Sequence, residues 1–109
     1  VVSNDYLFIK KKNALKKVAL NDILYIEVEE RYCNIMTEKE KFVIMISLTK
    51  ISDLLDKNKF IRTHRNTIVN VDKIEEIILA DNLVILKGNY KINLSDTYKD
   101  FIKKMNVLS

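Results

Sequence analysis

Short strands dominate this 109-residue chain, and its residues point to a mainly β domain carrying two short helices. It holds 15 Ile, 9 Val and 5 Thr, so more than a quarter of it is β-branched, stiff at χ1 and suited to a pleated surface. Apolar residues fall mostly in short runs bounded by Asn, Asp or Lys, and helical spacing shows in only two places. A single Gly and no Pro leave the turns to eleven Asn and eight Asp, whose side chains bond nearby backbone and tolerate left-handed conformations.

In chain order, Tyr6 to Lys10 predicts a first strand, followed by a lysine-rich turn through Lys12 and Asn13. Leu15 to Leu20 predicts a second, ending at Asn21-Asp22. Ile23 to Val28 is the most strand-like stretch, and Tyr32 to Thr37 can pair with it as a hairpin across Glu29-Glu30-Arg31. Beyond a charged turn at Glu38 to Lys41, Phe42 to Ile46 is apolar throughout and predicts a strand buried on both faces. In Ser47 to Asn58, Leu48, Ile51, Leu54 and Leu55 recur at helical spacing, with Ser47 or Thr49 able to cap the first turn.

Phe60 to Thr63 and Thr67 to Val71 predict two further strands. Lys73 to Leu79 fits a helical turn about as well as a strand, and its Ile content selects the strand. Leu83 to Lys87 and Tyr90 to Leu94 flank Gly88-Asn89, a pair suited to closing a two-residue hairpin. At the end, Tyr98, Phe101, Ile102 and Met105 lie at i, i+3, i+4 and i+7. Ser95 is placed to cap this helix, with Asp96 in its first turn and Lys103-Lys104 in its last, all matching the helix dipole.

A chain of this length has room for one domain with one modest core, and residues 6–109 are assigned to it, with 1–5 as a linker or frayed end. The 19 basic and 15 acidic residues give a formal charge of +4, a mild bias toward polyanions. No apolar run approaches the ~18 residues of a membrane span, and Cys33 alone cannot form an internal disulfide, so a soluble cytoplasmic protein is expected. One His and one Cys leave too few ligands for a zinc site, and Gly88 alone cannot build a phosphate loop. Glu29-Glu30 and Glu75-Glu76 are adjacent pairs, which on a strand point to opposite faces. No enzyme, metal or cofactor is expected.

The informative segment is Lys57 to Val71, which carries Lys57, Lys59, Arg62 and Arg65 with no acid, a charge equal to that of the whole chain. Two of the three arginines fall here, among Thr63, His64, Asn66 and Thr67. Arginine is a bidentate reader of guanine and a phosphate clamp, while Asn, His and Thr donate to phosphates and base edges. From the spacing alone the segment is equally a solvated basic turn.

Phe60 to Asn70, reading Phe-Ile-Arg-Thr-His-Arg-Asn-Thr-Ile-Val-Asn, closely resembles the signature of the LytTR DNA-binding domain. Asp22 to Glu27 is similar to that family's first core strand, and Ser47-Leu48, the helix through Leu54-Leu55 and the gap to Phe60 keep its spacing. Ser95, Tyr98 and a short final helix match its end, so the resemblance covers about residues 5 to 105. It implies an elongated stack of small, mostly antiparallel sheets. Such domains bind double-stranded DNA through loops that reach successive major grooves, and the duplex bends around them. The resemblance further implies the output half of a bacterial response regulator behind a receiver domain, paired direct-repeat sites bound by two copies, and an isolated domain that is a monomer. With no receiver in these residues, the chain is expected to be an excised domain or a short stand-alone relative.

Three loops would carry the DNA contacts. The first offers Arg31, Tyr32, Cys33 and Asn34; relatives place a polar or basic reader near Cys33, but a thiol is a weak donor, so Asn34 or Arg31 can serve instead, and Cys33 reads first as a small buried filler. Tyr32 is equally a half-buried strand aromatic. In the second, the resemblance puts a base reader at Arg65, with Arg62, His64 and Asn66 on phosphates. His64 and Asn66 have structural alternatives as a backbone-bonding histidine and a turn former, and Asn70 reads as a turn former. The third runs from Asn93 to Lys99, with Ser95, Thr97 and Lys99 as phosphate contacts. Where many relatives carry two basic residues, this chain has Asp96-Thr97; Asp96 either accepts from cytosine or complements the helix dipole. Lys10, Lys11, Lys12, Lys16 and Lys17 form either a solubilising hairpin tip or a flank on the DNA backbone. The alternative to a DNA-binding output domain is a small β-rich module that binds protein or RNA, suggested by the Glu27-Glu29-Glu30 cluster and the missing basic pair.

Overall fold

The apolar run at Ile23 becomes the strand around which the rest is arranged. In the computed structural model, which describes residues 5–108, β3 (Ile23–Glu29) turns tightly into β4 (Tyr32–Thr37), and β4 pairs on its far side with β5 (Lys41–Ile44). On its other side β3 pairs with β7 (Thr67–Asn70), which hairpins with β6 (Phe60–His64), giving an antiparallel sheet in the order β5-β4-β3-β7-β6. A hairpin of β1 (Tyr6–Lys11) and β2 (Ala14–Ala19) forms a second sheet, and β8 (Ile74–Ile78), β9 (Leu83–Leu86) and β10 (Tyr90–Asn93) form a third. The described residues span 50 × 31 × 24 Å, the elongated stack that the resemblance implies. The proposed linker at 1–5 falls almost entirely outside the described residues.

The central sheet is apolar on both faces because each face has its own cover. Ile26, Ile35, Phe42 and Ile68 pack against the β1–β2 hairpin and against α1 (Leu48–Asp53) through Ile9, Val18, Leu48 and Ile51. Leu24 and Val69 pack against the three-stranded sheet through Val84, Leu86 and Ile92, with Phe101 closing that side. Neighbours such as Ile68 and Val69 thus serve different cores, which a strand period of two requires.

One turn ties the three sheets together. The buried Thr37 hydroxyl donates to the Glu40 carbonyl and accepts from the Glu40 amide, folding residues 37–40 tightly. Glu40 then pairs with Lys11 and Lys16 of the hairpin at 3.3 and 2.8 Å, while Glu38 pairs at 3.5 and 2.6 Å with Lys73 and Lys87, which stand just before β8 and just after β9 of the third sheet. The hydrogen bond from Lys87, aided by Lys73, holds the Glu38 carboxyl below the usual glutamate range.

Four expectations need correction. Phe42 to Ile46 is not buried on both faces: β5 is an edge strand, and Val43 and Met45 are 57% and 65% exposed. The first helix stops at Asp53, because the carbonyl of Asp56 accepts from the amides of Lys59 and Phe60 and its carboxylate from that of Asn58, folding a turn that launches β6. The last hairpin has three loop residues, since Leu86 pairs with Tyr90; Gly88 and Asn89 both have positive φ, 85° and 65°. The final helix is a 3₁₀ segment, Asp96–Lys104, kinked at Tyr98, and the Ser95 side chain does not cap it. Packing of Phe101 on the second core, rather than helix propagation, holds it in place. Elsewhere the strands fall where expected, the ambiguous Ile74–Ile78 among them. Among the described residues no helix is long and apolar enough to cross a membrane.

Candidate nucleic-acid interface

Strand pairing alone brings two of the three loops together. Because β7 runs antiparallel to β3, with Glu27 opposite Thr67, the β6–β7 turn at Arg65-Asn66 lies beside the β3–β4 turn at Glu30-Arg31. The Val28 amide donates to the Asn66 carbonyl at 2.8 Å and fastens the two turns to each other. β5 ends at the same edge, where Ile44 pairs with Cys33, so the connector into α1 arrives there as well.

The third loop is recruited by a bulge. Arg62 pairs with Ile68 and His64 with Thr67, leaving Thr63 as the extra residue. The Thr63 carbonyl, free of the ladder, accepts from the Ser95 amide at 2.7 Å and draws the start of the Asp96–Lys104 segment to the base of the Arg65 turn. Thr63 is fully buried, and among the described residues its Oγ1 is the buried side-chain oxygen without a partner.

These constraints gather Arg31, Arg62 and Arg65, all the arginines of the chain, on one open groove. Arg31 and Arg65 are exposed at turn apices, and Arg62 is half-buried on β6 with Nη2 donating to Thr49 Oγ1 at 3.5 Å. Among the described residues every ion pair is made by a lysine and none by an arginine. The groove therefore presents guanidinium groups outside any ion pair, and among the described residues that line it the one acid is Glu30.

The other predicted residues are distributed unevenly. Tyr32, Asn66, Asn93, Asp96 and Thr97 are exposed. Asn34 is half-buried and donates to Glu29 at 3.3 Å. The Asn66 amide donates to His64 Nδ1 at 3.3 Å, so the imidazole shapes the turn on one side and keeps Nε2–H to offer on the other. Lys99 is paired with Asp96 at 2.7 Å, so this departure from the family pattern occupies a lysine that would otherwise be available to phosphate. Cys33 does not reach the surface: it is fully buried, burial pushes its thiol pKa up, and Sγ donates to the Ile46 carbonyl at 3.1 Å. It stands one residue past Tyr32 on β4, so its side chain takes the core face. Buried Asn70 bonds the Ile23 carbonyl and the Asp72 amide, a turn former as read.

Sequence reasoning missed the opposite wall of the groove, built by Met45, Thr49 and Lys50. Thr49 and Lys50 were absorbed into a helix read for its core face, and Met45 into a strand read as buried. No local signal marked Met45, because FVIMI reads as buried on both faces until the sheet order makes it an edge.

The family model of the LytTr DNA-binding domain matches residues 13–106. The sensory transduction protein LytT of Enterococcus faecalis is 33% identical over 103 residues, which span 91% of this chain and 43% of that protein. The transcriptional regulatory protein YpdB of Escherichia coli is 32% identical over 74 residues, 68% of this chain and 30% of that protein. The chain thus spans less than half the length of these relatives. A solved LytTr DNA-binding domain from Bacillus cereus superposes with a TM-score of 0.80, covering 94% of this chain and 96% of that one, a likeness of fold at 24% identity. With a family match across nearly its whole length, the chain belongs to the LytTr DNA-binding domains.

Proposed function

We propose that this domain binds double-stranded DNA sequence-specifically as the output module of a bacterial response regulator. The observation that carries this reading is the convergence of every arginine, none of them ion-paired among the described residues, on the groove between two fastened turns. Arg65, at the apex of the second turn, is the base reader, because the resemblance puts a reader there and its exposed guanidinium can present its fork edge-on to guanine. Arg31, Arg62 and Lys50 lie on phosphates, joined by Asn66 and by His64 through Nε2. Tyr32 and Asn34 follow the first turn into its strand, and Asn93, Ser95, Thr97 and Lys99 extend the footprint from the third loop. Asp96 keeps its two readings, as an acceptor from cytosine and as a first-turn acid complementing the helix dipole, and it also pairs with Lys99. Cys33 is left out of the contact set because it is buried.

With few side chains on base edges, part of the specificity comes from bending the duplex toward the outlying third loop. Two copies on direct repeats, a monomeric free domain, a cytoplasmic setting, a preceding receiver and the absence of a catalytic role or cofactor complete the proposal.

In-vitro selection against random duplex DNA, followed by a salt titration of the enriched pool, tests it. An enriched motif with a steep salt slope is expected. A flat pool, repeated with an artificially dimerised domain, would leave the protein- or RNA-binding module as the reading.

A further inference from the structure

Met45 is out of place for a methionine. At 65% exposure it serves neither core, and among the large exposed apolar residues outside the strands it lines the groove that holds Arg31, Arg62 and Arg65. Nor is it on a slack loop. The Ile46 amide donates to the Ile44 carbonyl at 3.1 Å, closing a three-residue turn with Met45 at its apex. The Ile46 carbonyl in turn accepts from the Cys33 thiol, which anchors the turn to β4 from inside the core. On one side stands β5, on the other Ser47, whose hydroxyl accepts from the Lys50 amide to start α1. A flexible, polarizable, apolar side chain is thus held at the edge of the groove that gathers the three arginines.

Charge alone reads nothing of base identity, since guanidinium and ammonium groups go largely to phosphates. The apolar feature of a major groove is the C5 methyl of thymine, and an apolar side chain beside it discriminates thymine from the other bases. We infer that Met45 is a specificity-determining residue that packs against a thymine methyl in the DNA site, with Cys33 positioning it from behind. This rests on the DNA-binding reading above and adds to it a base preference from the wall opposite Arg65. Because the contact is one methyl group, its loss corresponds to burying about one CH₂, roughly a fourfold change in affinity.

The test uses the selected duplex with each thymine replaced, one at a time, by deoxyuridine, which deletes only the methyl. Wild-type protein is expected to lose about fourfold at one position and to be indifferent elsewhere in the Met45 half of the footprint. Met45→Ala, at an exposed site where folding is not at stake, is expected to bind thymine and deoxyuridine equally at that position while keeping its guanine preference. Cys33→Ala should blunt the same discrimination without abolishing it. Equal thymine-to-deoxyuridine ratios in wild type and Met45→Ala at every position would overturn the inference while leaving sequence-specific binding intact. So would a selected site with no methyl-sensitive thymine. Failure to select any site would instead remove the DNA reading, and this inference with it.

Discussion

Two regions of this domain are rich in positive charge and put it to different uses. The β1–β2 hairpin carries Lys10, Lys11, Lys12, Lys16 and Lys17, more cations than the Lys57 to Val71 segment. Yet Lys11 and Lys16 are spent on Glu40, Lys11 also sits 4.8 Å over the Phe42 ring, and Lys17 sits 4.0 Å over Tyr6. In the second region Lys57 and Lys59 are likewise paired, with Asp53 and Asp72, but the arginines are not. The hairpin tip meets the β4–β5 turn, while the arginines sit at the other end of β4, about 17 Å away for a six-residue strand. Lysines here hold sheets together and arginines are left facing out. Lys10, Lys12 and Lys17 stay outside any ion pair among the described residues, so counting free cations does not separate the two regions; what separates them is that the free cations of the second are arginines, gathered with Arg31 on one groove.

The contrast can be broken most sharply at Arg65. Arg65→Ala is expected to weaken binding to the selected site by roughly 5- to 150-fold, the loss of about 1–3 kcal/mol of bidentate contact, and to relax preference at one base pair. Unchanged preference in a repeat selection would take Arg65 off the list of readers. Thr63→Val, which keeps the shape of the bulge residue and removes its orphan hydroxyl, should stabilise the free domain by about 1 kcal/mol in a denaturant titration. A destabilised variant would mean that the hydroxyl has a partner in solution.

Glu30→Asn should tighten DNA binding severalfold by removing the groove's one acid. It should also ease the left-handed backbone there, φ 57°, which Asn tolerates better than Glu. Weaker binding would show that Glu30 itself accepts from the DNA. Lys99→Ala should weaken binding evenly across sequences and lower the salt slope by at most about one, because Asp96 competes with phosphate for this lysine; a sequence-selective loss would contradict a phosphate role.

The smallest effect is expected from Lys16→Ala, which leaves DNA affinity and salt slope unchanged and lowers Tm slightly. A salt-slope change as large as that of Lys99→Ala would place the hairpin on the DNA and erase the contrast. Acid tests the same clasp. Glu38 and Glu40 have depressed pKa values, Glu38 through Lys87 and Glu40 through Lys16. Their stabilisation is therefore present above the usual glutamate range and lost as pH falls through the lowered values. The Tm deficit of Glu38→Gln seen at neutral pH should shrink toward zero under those acidic conditions, and a deficit that persists there would assign Glu38 a role other than charge.

Most of the strands were legible because period-two patterning and β-branched content are local signals. The errors fell where a distant partner overrides local preference. Asp56 cuts the first helix short by folding the next turn, Phe101 seats the final segment on the second core as a kinked 3₁₀ stretch, and β5 lies at an edge that no local pattern announces. The site shows the same division. Arg62, Arg65 and Asn66 could be named from one continuous segment, while Met45, Thr49 and Lys50 come from a different element and join them only through the order of strands in the sheet.

By itself, then, the sequence determined that this is a mainly β domain with Arg31 and Arg65 in turns and Arg62 on a strand, because alternation, turn residues and side-chain chemistry are properties of neighbours in the chain. Tertiary structure decided which cations are neutralised, which turns share an edge and that Cys33 is an anchor rather than a contact. Those outcomes depend on long-range pairing, and a one-residue shift of register or bulge moves a side chain to the opposite face.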